Sequence, residues 1–227
     1  MLPHETLADG GAGRTYGGLS AVEREERARA ALLDAGTELF ADNGFAATGV
    51  RELCRAAKVS ERTFYATVGS REVLLRAVYL AATDAVIERI RGAMSADPGA
   101  DVYTRLRTGL GAFFDAITDE PRHGRLIYVE ALGRGQEIEA ARREGLGRFV
   151  DLVLNELRPF AGGDLEGPGL AAAVAAALTG VGELAYRHAE GELVVDGAAV
   201  DRIAQAVAGM AVAGGLIAAP DGSAAAQ

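Results

Sequence analysis

Between Thr48 and Arg71 the chain carries five cations, Arg51, Arg55, Lys58, Arg62 and Arg71, against two carboxylates, Glu52 and Glu61. A local excess of positive charge attracts phosphate even on an acidic protein, because fields act within a Debye length of about 8 Å at physiological salt. The rest of the chain is acidic, with a formal net charge of -9 over 227 residues. That balance counts against nucleic acid unless the basic stretch is held apart from the acidic bulk. The inventory for catalysis is thin. His4 falls in a Gly-rich N-terminal stretch, which leaves His123 and His188. Neither sits in an H-E-x-x-H pattern or in paired E-x-x-H motifs, and Glu183 and His188, five apart, share a helix face poorly. No glycine-rich phosphate loop or nucleophile elbow occurs. No catalytic residue, no metal set and no cofactor is expected. The single cysteine, Cys54, excludes an intrachain disulfide and fits a reducing, cytoplasmic setting.

The elements that must position these cations are helical. A first helix is predicted over residues 21–43, with Leu32, Ala35, Gly36, Leu39 and Phe40 on one face. Gly44 stops it, and Phe45 is placed to fold back onto its end. Thr48 is the expected cap of a second helix, about residues 49–58, burying Val50, Leu53, Cys54 and Ala57. Ser60 then caps a short third helix, residues 61–66, and Ser70 a fourth, about 71–95. The fourth is given an apolar stripe of Val73, Leu74, Ala77, Leu80, Ala81, Ala85 and Ile87, and Asp97-Pro98-Gly99 ends it. Further helices are expected over about 101–118, 123–134, 136–158, 170–190 and 196–216. No stretch alternates with the period of a strand, and residues 193–195 are too few to count as one. Residues 1–20 read as a flexible arm without signal-peptide character, and those from 218 onward as a disordered tail.

Two helices joined by a three- or four-residue turn, the second of them short, form a helix-turn-helix, whose second helix presents side chains to the major groove. The segment LLDAGTELFADNGFAATGVRELCRAAKVSERTFYATVGSREVLL resembles the N-terminal domain of the tetracycline-repressor (TetR) family of transcriptional regulators. The likeness rests on Phe40, Gly44-Phe45, Thr48, Val59-Ser60, Thr63-Phe64-Tyr65 and Ser70-Arg71-Glu72, and covers about a fifth of the chain. It implies an all-α fold: a three-helix DNA-binding domain over residues 21–69, then a larger helical effector-binding and dimerisation domain over residues 70–217. It also implies that Thr48, Thr63, Tyr65 and Arg71 touch the phosphate backbone, with Ser60, Glu61 and Thr67 completing the surface toward the duplex. Arg62 is the candidate base reader, since its fork can donate twice to guanine, and Arg51 could reach phosphate or base. Three positions depart from the family pattern. Lys58 stands where glycine is common, Thr67-Val68 replace an aromatic pair, and Arg71 replaces a lysine. Cys54 falls where the family usually has alanine, and is expected to be a small buried thiol.

The same resemblance implies a homodimer through the last two long helices, on a palindromic double-stranded operator. Ala171, Ala175, Leu178, Val181 and Gly182 on one helix, and Val200, Ile203, Ala204, Val207, Met210 and Ala211 on the other, would supply the apolar surface. It implies a small apolar or aromatic effector in the body, for which Phe113, Phe114, Tyr128, Phe149 and Tyr186 are candidate lining, although such a stripe also serves as ordinary core. The Ala- and Gly-rich runs near 170–181 and 204–219 are bounded or interrupted by Glu183, Arg187, Asp201, Arg202 and Gln205, so no membrane span is expected. The rival reading is a helical small-molecule-binding or scaffold protein without DNA activity.

Overall fold

The computed structural model describes residues 20–160 and 168–213. The expected arm before Ser20, the breaks at Gly162-Gly163 and Gly167, and the tail lie outside them. The described residues fold into nine α-helices and no strands: α1 (Ala21–Asn43), α2 (Val50–Ala57), α3 (Glu61–Thr67), α4 (Arg71–Met94), α5 (Val102–Asp119), α6 (Pro121–Arg125), α7 (Gln136–Leu157), α8 (Pro168–Ala189) and α9 (Gly197–Ala213). A π-helical turn, Leu126–Glu130, continues α6.

Local chemistry sets the boundaries of the first helices. Ser20 closes a capping box: its hydroxyl accepts from the Glu23 amide at 3.1 Å while the Glu23 carboxylate accepts from the Ser20 amide at 2.6 Å. Gly44 ends α1 at φ +85°, a conformation that strains any residue bearing a Cβ. Ser60 and Ser70 accept from the amides three residues on, Thr63 at 3.0 Å and Val73 at 3.2 Å, and so start α3 and α4. Thr48 corrects the expectation placed on it. The N-cap of α2 is Gly49, without a side-chain bond, and Thr48 is fully buried, its hydroxyl donating to the carbonyls of Gly44 at 2.9 Å and Leu39 at 3.1 Å. A threonine one residue before the cap can satisfy a preceding carbonyl instead of a following amide, and burial decides between the two.

Lys58 is the one non-glycine residue with positive φ among the described residues, at φ 55° and ψ 40°. The left-handed conformation costs a residue with a Cβ about 1 kcal/mol. Lys58→Gly is therefore expected to raise stability by up to about 1 kcal/mol, read as a higher urea midpoint with an unchanged slope. An unchanged midpoint would show that the lysine bears no strain there.

The core is continuous from α1–α3 into the body, and α4 is its shared member. Its buried residues are Leu74, Leu75, Val78, Tyr79, Ala82, Thr83, Val86, Ile87, Ile90 and Met94. The expected stripe was displaced: Val73 is 37% exposed, and Ala81 and Ala85 face outward. α4 packs against α1 on one side and against α5 and α7 on others, so two adjoining rows are buried where a surface helix buries one. At the crossing with α1 a Cβ on Gly36 would lie 3.0 Å from Val78, so a glycine is what lets the two backbones approach. The helix expected over 123–134 also differs. It starts at Pro121, whose fixed φ suits a first helical position, and changes at Leu126 to the wider π turn.

Candidate nucleic-acid interface

Helix α3 has seven residues, too few to be stable alone, so tertiary anchors must hold it. Phe64 is fully buried and Val68 nearly so, both in the main core. Fixing Phe64 inward turns its neighbours outward. Glu61 and Arg62 are exposed, and Tyr65 is 55% exposed, its ring edge-on to Phe64 at 5.3 Å between centroids. Among the described residues Arg62 has no hydrogen-bond or ion-pair partner, so its fork is available. Thr63 is half-buried and shares a 2.8 Å hydrogen bond with the Ser60 hydroxyl, and Thr67 is half-buried at the far end of α3. On α2, Arg51 donates to Glu61 at 3.3 Å with 93% of its side chain exposed. An ion pair so open to water is worth about 1 kcal/mol at most, and phosphate can displace it.

Two of the expected contact residues are turned inward. The Thr48 hydroxyl is spent on the carbonyls of Leu39 and Gly44 and is fully buried. Arg71 donates from Nη1 to the carbonyls of Thr48 at 2.5 Å and Phe45 at 3.3 Å, with its guanidinium 4.8 Å from the centre of the Phe45 ring. The Arg51, Glu61, Arg62, Thr63 and Tyr65 side chains thus form the outer surface, with Thr48 and Arg71 as its internal supports. Burial pushes the Cys54 thiol above its ordinary range, with the Glu61 carboxylate adding to the shift, so this cysteine is a poor nucleophile.

A second set of polar contacts, at the end of α1, escaped the sequence reading. The Glu130 carboxylate, nearly buried, accepts from the Phe45 amide at 2.9 Å and lies 3.5 Å from both Arg125 and Arg134. Arg125 also donates to the Ala41 carbonyl at 3.0 Å, and Arg122 makes a forked pair with Asp42 at 3.0 and 2.8 Å. That fork holds the Asp42 carboxyl below its usual range. Arg134 lies 5.7 Å from the Phe45 ring centre. The end of α1 is thereby tied to α6 and the π turn. The available signal was a lone carboxylate inside the run Leu126-Ile127-Tyr128-Val129-Glu130-Ala131-Leu132, since a charge placed among apolar residues needs partners.

In the body, Phe113 contacts Phe114, Tyr128 and Phe149 edge-on, at 5.0, 6.1 and 6.2 Å between centroids. Burial, with Tyr79 nearby, pushes the Tyr128 phenol well above its ordinary range. Tyr186 is half-buried and joins no ring contact with them among the described residues. Shallow polar depressions lie elsewhere, one at Met94, Pro98, Arg105 and Glu156, another along Asp84, Arg148 and Asn155. No group of three or more potential metal ligands occurs among the described residues.

An all-α chain whose short, capped third helix carries exposed arginine and tyrosine over a buried phenylalanine is a helix-turn-helix protein in class. Residues 32–78 match the family model of the bacterial regulatory proteins, tetR family, so this segment of the chain is similar to the N-terminal domain of that family. It is 35% identical over 107 residues to the HTH-type transcriptional activator FasR of Mycolicibacterium smegmatis, a match covering 47% of this chain and 48% of the relative. The chain thus spans about half the length of that curated relative. The fold is shared with the fatty acid degradation regulator FadR of Bacillus halodurans, at a TM-score of 0.64 and 17% identity, covering 80% of this chain and 95% of that one. It is also shared with the transcriptional regulator FadR of Bacillus subtilis in complex with stearoyl-CoA, at a TM-score of 0.62 and 16% identity, covering 82% and 98%.

Proposed function

We propose that this chain is a ligand-responsive transcriptional regulator, cytoplasmic, binding a palindromic operator as a homodimer. The observation that carries the reading is the seven-residue α3 itself, anchored by Phe64 and presenting Arg62 and Tyr65 to the outside. Arg62 reads base edges, while Arg51, Thr63, Tyr65 and the helix N-terminus at Ser60 and Glu61 engage phosphate. A single α3 offers too few contacts for a selective site, and a two-fold dimer places two of them one helical turn apart, about 34 to 36 Å.

The partner surface is the outer face of α8 and α9. Val181, Val200, Ala204 and Ala211 pack inside the chain, which leaves Ala172, Ala173, Ala176, Gly180 and Gly209 exposed and Met210 59% exposed. By length and composition Leu170–Ala189 could cross a membrane, with a mean hydropathy of 1.2. A second copy of the chain is the better cover. α8 already packs on α6, α7 and the π turn through one face, and small residues on the other suit close helix approach. The effector is a small apolar or aromatic molecule bound near Phe113, Phe114, Tyr128 and Phe149, with Tyr186 at the margin. Stearoyl-CoA is the first probe, given its complex with the Bacillus subtilis neighbour. An effector acts only by preferring one spacing of the two α3 helices over another. Release from the operator on effector binding, and hence repression, is the expected outcome. The relative FasR is a transcriptional activator, which favours activation as the second reading, and transcription in vitro from a promoter carrying the selected site separates the two.

The test is selection from random duplexes with the purified protein. A palindrome should emerge, bound with an affinity whose logarithm falls linearly with the logarithm of salt. Arg62→Ala should relax preference at one or two base pairs by about 1 to 3 kcal/mol, whereas Tyr65→Phe should weaken every site alike. Failure to retain any duplex at low salt would leave the scaffold reading standing, and an unchanged preferred sequence in Arg62→Ala would remove that arginine as the base reader.

A further inference from the structure

We infer that Glu130 is a positioning residue for DNA binding. From the end of the π turn its carboxylate holds the Phe45 amide, fixes the angle at which α1–α3 leave the body, and so sets the half-site spacing that a dimer accepts. The inference rests on the dimeric DNA reader proposed above.

The chain joins α3 to the body through α4, and α1 packs on α4 and α6, so the angle of α1–α3 depends on how the end of α1 is held. The second attachment is at the opposite end of the helix-turn-helix, where α1 gives way to the turn before α2. There the Phe45 amide points out of the α1 end, because the α1 ladder is already closed by the Gly44 amide donating to Phe40 at 3.1 Å. The amide would find water if the body were absent. Instead it meets a carboxylate 85 residues further along the chain, at 2.9 Å, in a site nearly closed to solvent. Burying a carboxylate is costly unless partners surround it. Arg125 and Arg134 at 3.5 Å supply that compensation, and Arg125 grips the Ala41 carbonyl as well. Gly44 takes the φ of +85° that turns the chain toward the carboxylate, a conformation that strains any residue with a Cβ, although a Cβ there would meet the carboxylate only at ordinary contact distance. An amide-to-carboxylate bond is directional where an ion pair is not, so it resists rotation of α1–α3 as well as separation. Glu130 itself lies outside the outer surface formed by Arg51, Arg62 and Tyr65.

The experiment uses palindromes whose central spacer changes by single base pairs, each step moving one half-site about 3.4 Å and rotating it about 35°. Wild-type protein should prefer one spacer. Glu130→Ala should flatten that preference by about tenfold or more, leaving base preference inside each half-site intact. Glu130→Gln, which keeps an acceptor for the Phe45 amide, should retain the wild-type optimum. A Glu130→Ala protein that is weaker at every spacer but keeps the same sharp optimum would reduce Glu130 to a stabilising residue and overturn the inference. Hydrogen exchange at the Phe45 amide decides the matter if that variant does not fold: strong protection is expected in wild type and Glu130→Gln, and rapid exchange in wild type would refute the contact. A wild-type protein that binds no palindrome while its Phe45 amide is protected would instead overturn the proposed function.

Discussion

Phe64→Ala is expected to destabilise the protein by about 3 to 5 kcal/mol, the range for removing a fully buried aromatic ring from a packed core. The effect should exceed that of most core truncations in function, because α3 has no other large anchor. Its seven residues contribute one internal turn and a cap from Ser60, and Val68 follows just beyond its end. Without the ring, Arg62 and Tyr65 lose the rigid support that aims them. Operator binding should disappear at all sequences and salt concentrations. Thermal denaturation by circular dichroism should show the loss of stability, and sedimentation should show the dimer unaffected if α8 and α9 form it. Tyr65→Phe is the matched control, since its ring is half in water and its hydroxyl has no partner among the described residues; its melting curve should not move. A Phe64→Ala protein as stable as wild type would mean that α3 is held by contacts other than the ring.

The parts of this arrangement that were legible in the sequence are those governed by neighbours along the chain. Gly44, Ser60 and Ser70 each act within four residues, and the ends of α1, α3 and α4 followed from them to within a residue. Ser20 and Glu23 form a capping box of the same local kind, and counting Ser20 with the flexible arm overlooked it. Thr48 shows the limit of such signals. Capping a following helix and bonding a preceding carbonyl call for the same side chain, and the distinction lies in burial by α1, which no window around residue 48 contains. The stripe on α4 failed for a related reason: periodicity assumes one buried face, whereas a helix shared between two packed units buries two. The π turn has no compositional mark. Glu130 was invisible because its partner is 85 residues away, although an acidic residue inside an apolar run was a reason to ask what surrounds it. For the proposed DNA-facing surface, the residue types pointed to phosphate and base chemistry, and the fold sorted the same residues into exposed side chains and inward-turned ones.

Arg71 is where that sorting makes the sharpest quantitative demand. By resemblance it is a phosphate donor, and its removal would then weaken DNA binding without touching stability. The geometry assigns it two loop carbonyls and the face of Phe45. Hydrogen bonds from a charged donor contribute about 1.5 to 3 kcal/mol, and a cation over an aromatic face about 0.5 to 1 kcal/mol where water still reaches it. Because the side chain is only half-buried and water can replace part of what is lost, Arg71→Met should cost about 2 to 3 kcal/mol in urea denaturation measured without DNA. Methionine keeps most of the aliphatic volume, so the loss reports the guanidinium. Arg71→Lys should recover only part of it, since an ammonium keeps the charge but lacks the planar fork that reaches both carbonyls and stacks on the ring. The turn between α1 and α2 would loosen in both variants, and with it the support beneath Thr48 and α2, so DNA affinity should fall in step with stability and equally for all sequences. Full stability in Arg71→Met with weakened binding would show that the guanidinium faces the phosphates in solution, and that the turn needs only Glu130 and Thr48 to hold its shape.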